Sequence, residues 1–405
     1  MPCPSRSTPR FCIPQNLGQL LSLLVGLSGG EVQASLPLFR PPLFNKLRHL
    51  GLTPWLYYQV KLWGLEGLLP PEAVRLLRQD YLSSLLISGA QQEEISKLIE
   101  LLNQAKIKPI LLKGADLRKR LYLDAAVRLI TDLDLLIGLD SLGDAKAVLE
   151  EAGYALTPYY HDLRPGHFLL IWNELHFSPP AGKSLEIDLH WELMAAVFFY
   201  RLPYPELQKE AVPLNYHGLA AYALSLEHTV IHLCLRAFQI FPDIRIMLDL
   251  ALFLSSFPVN WEKLCQDTSF FQCQYPVYLI LRESARLLPD LIPPAVLEGL
   301  ANYRASLLDL LMSRPRLSQA SFAFPAFYRH RNISQWLTYV RNNLFPHPDY
   351  LTAVYGKSGR AAHLRRLLQI FFRGCRKGLD ELSLPGKFAW EEPKKSLNER
   401  SFEGE

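Results

Sequence analysis

Three acidic residues stand where their side chains could act together. Asp132 and Asp134 are two positions apart in an apolar segment, and residues at i and i+2 of a strand project from the same face. From Leu185 to His190 apolar and polar residues alternate, which places Asp188 on the polar face of a second strand. Crowded carboxylates repel each other unless a cation neutralises them. The pattern therefore predicts a divalent-cation site.

Magnesium suits such a site because it is a hard ion that prefers oxygen ligands and substrate phosphates, and manganese could replace it. Two ions about 4 Å apart could activate an attacking hydroxyl and stabilise a leaving pyrophosphate. Nucleotidyl transfer is the simplest chemistry for three carboxylates. The residues alone leave an alternative open, because D-x-D is common: Asp132 and Asp134 could cap a strand entrance while Asp188 faces water.

Further motifs accompany the aspartates in order between about Leu50 and Leu254. They are Leu111-Leu112-Lys113-Gly114-Ala115, Tyr122, Arg128 four residues before Asp132-Leu133-Asp134, Gly153-Tyr154 and Asp188-Leu189-His190-Trp191. Together they resemble the uncharacterised nucleotidyltransferase family, which belongs to the DNA polymerase β-like superfamily. The resemblance implies an α+β fold, with a small mixed-sheet core flanked by N-terminal and C-terminal helical regions.

The same resemblance implies an enzyme that moves a nucleoside monophosphate from a nucleoside triphosphate to a hydroxyl-bearing acceptor, which could be a small molecule, a protein or RNA. Asp132, Asp134 and Asp188 would be its catalytic residues and would bind two magnesium ions. Asp188 could also receive the proton of the acceptor hydroxyl.

In this superfamily a Gly-Ser pair after the first strand contacts the nucleotide phosphates, whereas here the matching pair is Gly114-Ala115. Backbone amides at the start of the following helix could still bind phosphate oxygens, and Lys113 would add a positive charge. Arg128 could reach the triphosphate or form a structural ion pair. His190 could orient the third aspartate, contact substrate, carry a proton or be purely structural. The missing serine leaves a second function open, a catalytically inactive nucleotide-binding or regulatory protein.

Hydrophobic periodicity predicts the elements that position these residues. Apolar residues recur at three and four up to about Gln104, which predicts helices, and the pattern then changes to short apolar runs typical of strands. The predicted strands are Ile110–Leu112, Leu133–Ile137, Phe168–Phe177 and Leu185–Trp191, the last two forming a hairpin; helices are expected at Ala115–Leu123, Leu142–Ala152 and, from Ala220 onward, through most of the remaining chain.

These patterns divide the chain into four parts. Residues 1–104 are an N-terminal helical region, 105–195 the nucleotidyltransferase core, 196–385 a C-terminal helical domain and 386–405 a solvated tail. An amphipathic basic segment, 357–377, could contact anionic membrane or RNA, although docking on its own protein is favoured.

Composition narrows the class of protein. With 43 basic and 39 acidic side chains in 405 residues, the net charge of +4 is too balanced for a protein that coats nucleic acid. No run approaches the ~18 apolar residues of a membrane span, and six cysteines without C-x-x-C pairs favour a reducing, cytoplasmic setting. The apolar stretch Leu17–Leu27 imitates a secretory signal, but Gly18 and Gln19 interrupt it and its period favours a helix.

Two further patterns are weaker. His228 and His232 are four residues apart on a predicted helix, a zinc-chelating spacing, yet the H-E-x-x-H motif is absent. Gly356-Lys357-Ser358 imitates a phosphate loop, but the earlier glycine is missing because Leu351 stands there. Neither pattern is interpreted as a site.

Overall fold

A computed structural model of the chain describes residues 41–157, 173–194, 200–240 and 243–303, together with the single positions 309, 337, 341, 363, 364 and 368. Several expectations fall outside the described residues: the helix at Leu17–Leu27, the Gly356-Lys357-Ser358 segment, the greater part of the basic segment 357–377, and the tail 386–405.

The fold is α+β, with helices before and after one mixed sheet. The longest of the described helices begins at Pro71 and runs for 34 residues. The helices of the described part are α1 (Pro41–His49), α2 (Thr53–Leu62), α3 (Pro71–Gln104), α4 (Lys113–Arg120), α5 (Leu142–Glu151), α6 (Tyr204–Lys209), α7 (Leu226–Gln239), α8 (Ile244–Ser256), α9 (Trp261–Phe270), α10 (Gln274–Leu287) and α11 (Pro294–Ala301).

In the described residues the sheet has seven strands, which are β1 (Ile110–Leu111), β2 (Asp132–Leu136), β3 (Ala155–Leu156), β4 (Glu174–Ser178), β5 (Glu186–His190), β6 (Val212–Tyr216) and β7 (Leu219–Ala223). Their order across the sheet is β3-β4-β5-β2-β1-β7-β6. Strand β2 runs parallel to β5 and antiparallel to β1, and β1 runs parallel to β7. The predicted hairpin is confirmed for the described residues, since β4 and β5 pair in antiparallel register.

The expectation that a helix begins at Ala220 is wrong for Ala220–Ala223, which lie in β7. The preceding His217 and Gly218 both have positive φ, of 52° and 90°, the geometry of a two-residue turn that closes a β-hairpin. Helix α7 begins only at Leu226. The Ser225 side chain caps it by accepting a hydrogen bond from the His228 amide. The β6–β7 hairpin thus lies beyond residue 195, the predicted end of the core, and belongs to the same sheet.

The central strands separate two hydrophobic clusters. One face packs against the second half of α3 and against α5, and it carries Leu111, Leu133, Leu135, Ile187, Leu189 and Trp191. The other face carries Ile110, Leu112 and Leu136, which join the cluster formed by α1, α2, α7, α8 and α10. Because side chains alternate along a strand, the polar residues between the first set lie on the second face, towards the C-terminal helices.

Within the described part of the chain, no helix combines the length and apolar character needed to cross a bilayer.

Candidate active site

Two of the three predicted aspartates lie side by side at the centre of the sheet. The parallel register of β2 and β5 pairs Asp134 with Asp188. Both are buried, with 1% and 7% of their surfaces exposed. A carboxylate oxygen of each and a ring nitrogen of His190 all lie within 4.8 Å of one another. Two oxygen ligands and one nitrogen ligand are therefore available to a cation on this face.

Asp132 occupies the same face one pleat earlier and is half-buried, but it does not belong to that group of three. Its Oδ1 accepts a hydrogen bond of 2.9 Å from the Thr131 hydroxyl. Burial, followed by the negative charge of Asp134, raises the pKa of Asp132, and Asp188 adds to the effect. Both other carboxylates thus act electrostatically on Asp132, although it lies outside the group of three.

Lys113 supplies a positive charge at this point. Its ammonium group forms an ion pair with Asp134 Oδ1. Burial would raise the pKa of Asp134, but the charge of Lys113 and the hydrogen bond from His190 hold that pKa well below its usual range. Lys113 has a positive φ of 43°, an uncommon conformation for a residue with a side chain, at the turn from β1 into α4.

His190 connects two acidic residues. Its Nε2 lies 2.9 Å from Asp134 Oδ1, and its Nδ1 lies 2.9 Å from Glu174 Oε2 and 3.1 Å from Asn173 Nδ2. Burial would lower the pKa of His190, but the hydrogen bonds to Asp134 and Glu174 raise it. The expectation that His190 could orient Asp188 needs correction, because the carboxylate it contacts across the sheet is Asp134.

The imidazole beside Asp188 comes instead from β4. His176 Nδ1 contacts Asp188 Oδ1, and its Nε2 lies 3.4 Å from Glu174 Oε1. Burial alone would lower the pKa of His176, but the hydrogen bonds to Asp188 and then Glu174 raise it to about 10. Together with Glu174, Asp188 and His176 form a second group whose ligand atoms lie within 4.8 Å of one another.

Sequence reasoning missed Glu174 and His176. The available signal was the alternation in Glu174-Leu175-His176-Phe177, because Leu175 and Phe177 are buried in the apolar cluster and the two polar residues face the other way. The hairpin register pairs His176 with Asp188 and Glu174 with His190, and this register cannot be assigned from the strand pattern alone.

Gly114 and Ala115 lie in the first turn of α4, directly after Lys113, where the helix begins. A Cβ atom at Gly114 would lie 2.4 Å from Ile130 Cγ2, so only glycine fits there without displacing Ile130. Ala115 is buried in the cluster on the opposite face of the sheet. Leu112 provides no side-chain cap for α4. The first amides of the helix therefore have no capping side chain at this position and offer hydrogen-bond donors.

Arg128 lies in an ion pair with α8. Its Nη2 is 2.9 Å from Asp249 Oδ2 and its Nε is 3.2 Å from both carboxylate oxygens, while the Tyr122 hydroxyl donates to Asp249 Oδ1 at 2.6 Å. Burial would lower the pKa of Arg128, but Asp249 raises it. Of the two alternatives left by the sequence, the geometry favours the structural ion pair.

The two histidines of α7 have different surroundings. His228 Nε2 lies 3.4 Å from Asp267 and 3.7 Å from Glu210, and Lys263 bonds both of these carboxylates. His232 belongs to none of the candidate metal groups of the described residues.

The chain is similar to one family of known proteins and to solved structures. The profile of a family described as "Uncharacterised nucleotidyltransferase" matches residues 42–289. Among solved structures, the chain is similar to the antibiotic-resistance factor ANT(2'')-Ia, with 16% identity over 46% of this chain and 94% of that one and a TM-score of 0.34. Comparison with curated proteins gives no match.

Proposed function

This chain belongs to the uncharacterised nucleotidyltransferase family, and on that premise we propose that it transfers a nucleoside monophosphate from a nucleoside triphosphate to a hydroxyl-bearing acceptor. The proposal depends on one observation: a carboxylate oxygen of Asp134, one of Asp188 and a ring nitrogen of His190 lie within 4.8 Å of one another, with Asp132 on the same strand face. Small molecules, proteins and RNA all provide hydroxyl acceptors, so the acceptor class is left open.

The donor set fits a divalent cation. Carboxylate oxygens are the ligands that Mg²⁺ and Mn²⁺ prefer. Burial, followed by the negative charge of Asp134, raises the pKa of Asp132, and a bound cation would offset both effects. Asp132, Asp134 and Asp188 would hold the metal, two ions in the proposed arrangement. When bound, such ions would supply charge neutralisation at the phosphates and would lower the pKa of the attacking hydroxyl.

The remaining residues act on protons and on charge. The Asp188 carboxylate would receive the proton of the acceptor hydroxyl, and His176, bonded to Asp188, would hold that carboxylate in place. The charge of Lys113 and the first amides of α4, at Gly114 and Ala115, would bind phosphate oxygens. His190 would fix the orientation of Asp134 through its contact with Glu174.

The test is pyrophosphate release from each nucleoside triphosphate, with Mg²⁺ and mixtures of candidate acceptors. We expect Asp132→Ala or Asp134→Ala to abolish release in protein that remains folded, and Asp188→Asn to lose most of the rate. Asp144→Ala, which removes an exposed carboxylate at the start of α5, is the matched control and should leave the rate unchanged. Undiminished release by either of the first two variants contradicts the proposal.

A second candidate function rests on Ala115. The resemblance implies a serine at this position, and Ala115 provides no hydroxyl for a phosphate group, which favours a protein that binds nucleotide without turnover. Calorimetry with each triphosphate distinguishes the two functions. Tight magnesium-dependent binding, with no pyrophosphate release in any acceptor mixture, supports the binding protein.

We also propose a cytoplasmic location. The cysteines of the described residues, Cys234, Cys265 and Cys273, are free thiols, which is consistent with a reducing compartment. Mass spectrometry of the alkylated native protein tests this, because disulfides in the isolated chain would argue for secretion.

A further inference from the structure

A stripe of polar residues runs along α7, a helix that is otherwise largely apolar and buried. Thr229, His232, Arg236 and Gln239 follow one another at spacings of three, four and three residues, which places them on one side of the helix. Most of the residues between them, including Val230, Ile231, Leu233 and Leu235, belong to the large hydrophobic cluster. A polar stripe on such a helix needs partners.

The two ends of the stripe are attached to elements that carry the candidate site. The Thr229 hydroxyl oxygen lies 3.0 Å from Arg120 Nη2, at the end of the helix that begins with Lys113. Gln239 Nε2 lies 3.8 Å from Met194 Sδ, four residues after β5 ends. Helix α7 therefore extends from α4 to the segment after β5, with the middle of its stripe between the two.

The middle residues each carry a buried polar atom without a partner among the described residues. These atoms are His232 Nε2 and Arg236 Nε. His232 is 3% exposed, and the Arg236 guanidinium is held by a bond of 2.9 Å from Nη1 to Gln239 Oε1. A buried polar group without a partner is costly, so a ligand that bonds to it is stabilised.

The charges around His232 indicate which kind of ligand would bind there. After burial, the main influences that lower the pKa of His232 are the positive charges of Lys113 and Arg236, while Asp134 acts in the opposite direction. The cations that act on this imidazole are thus Lys113 and Arg236. A neutral imidazole carries one N–H group, and this group, a guanidinium N–H and an ammonium group are all hydrogen-bond donors suited to phosphate oxygens.

The cluster one turn earlier on the same helix is different. Lys263 lies 2.8 Å from Glu210 and 3.0 Å from Asp267, so the carboxylates near His228 already have a cation. His228 serves as a comparison for His232, because it is equally buried at 2% exposure and faces this other cluster.

We infer that His232 and Arg236 form an anion subsite that binds the phosphate groups of the nucleoside triphosphate, an inference that rests on the proposed function. Its ligand class is an inorganic or nucleotide polyphosphate.

The test is calorimetric binding of inorganic tripolyphosphate to the full chain with excess Mg²⁺. We expect His232→Gln and Arg236→Gln each to weaken binding about tenfold or more, the range for a hydrogen bond to a charged group. His228→Gln is the matched control, with the same substitution one turn away, and should bind as the unmodified protein does. Equal binding by all four proteins overturns the inference, and so does absence of binding by the unmodified protein.

This readout is independent of turnover. Tripolyphosphate binding that depends on His232 and Arg236, in a protein that releases no pyrophosphate, supports the subsite and contradicts the proposed reaction. Pyrophosphate release that depends on Asp134, together with unchanged tripolyphosphate binding in both variants, supports the proposed reaction and contradicts the subsite. Arg236 is partly exposed, so Arg236→Gln keeps the test decisive if the buried His232→Gln variant does not fold.

Discussion

The ammonium group of Lys113 and the imidazole of His190 both contact Oδ1 of Asp134. A cation that uses this oxygen has to compete with Lys113. Phosphate oxygens would attract the ammonium group in turn, because Lys113 is partly exposed at the start of α4. At the scale of single residues, cation binding and phosphate binding are therefore coupled through the position of one lysine.

This coupling predicts the behaviour of Lys113→Met. Without the competing ammonium group, the variant should bind Mn²⁺ more tightly than the unmodified protein in the absence of nucleotide, by on the order of tenfold for a charge at this range. Calorimetric or spin-resonance titration with Mn²⁺ measures the change. Lys119→Met, at an exposed position of the same helix, should have no effect. Equal or weaker Mn²⁺ binding by Lys113→Met would show that the ion pair does not occupy the cation site.

The aspartates could be predicted from sequence because strand parity fixes the face on which each side chain lies. Asp132 and Asp134 share a face in any strand, and the alternation around Asp188 gives its face as well. Glu174 and His176 could not be placed in the same way. Their contacts depend on the register between β4 and β5, which is a property of two strands and the turn that joins them.

At the scale of elements, the close contact between Gly114 and Ile130 sets the distance between α4 and the start of β2. The Cγ2 atom of Ile130 occupies the space that a side chain at Gly114 would need. Ile130 is itself held by Gln91 on α3, whose Nε2 donates to the Ile130 carbonyl at 2.7 Å. The close approach keeps Lys113 beside the strand that bears Asp134.

Gly114→Ala should therefore lower the free energy of unfolding by about 1–3 kcal/mol, the usual cost of overpacking. Gly89→Ala is a control of opposite sign. Gly89 lies in α3 with open space around its Cβ position, so alanine should stabilise the helix by roughly 0.5–1 kcal/mol. Urea denaturation measures both. In a double-mutant cycle, Ile130→Ala should relieve part of the cost of Gly114→Ala, and strictly additive effects would contradict the steric explanation.

At the scale of the whole molecule, segments far apart in sequence complete the site. The sheet gains β7 from beyond residue 195, and α7 and α8 cover the face that carries the aspartates. Sequence periodicity predicted these helices but not β7, because its alanines suit a helix and only pairing with β6 and β1 makes them a strand. The long-range partner of Arg128, which is Asp249, could not be assigned for the same reason.

The Arg128–Asp249 pair joins the chain before β2 to α8, and it provides a test of the role of Arg128. Asp249 is 2% exposed, so Arg128→Met leaves a buried carboxylate without its cation and should lower the free energy of unfolding by about 3–5 kcal/mol. Adding Asp249→Leu removes the stranded charge, so the double variant should be more stable than the sum of the single effects predicts. At a temperature where it is folded, Arg128→Met should still bind inorganic tripolyphosphate normally. A tenfold loss of that binding with unchanged stability would instead assign Arg128 to the triphosphate, the alternative that its sequence position left open.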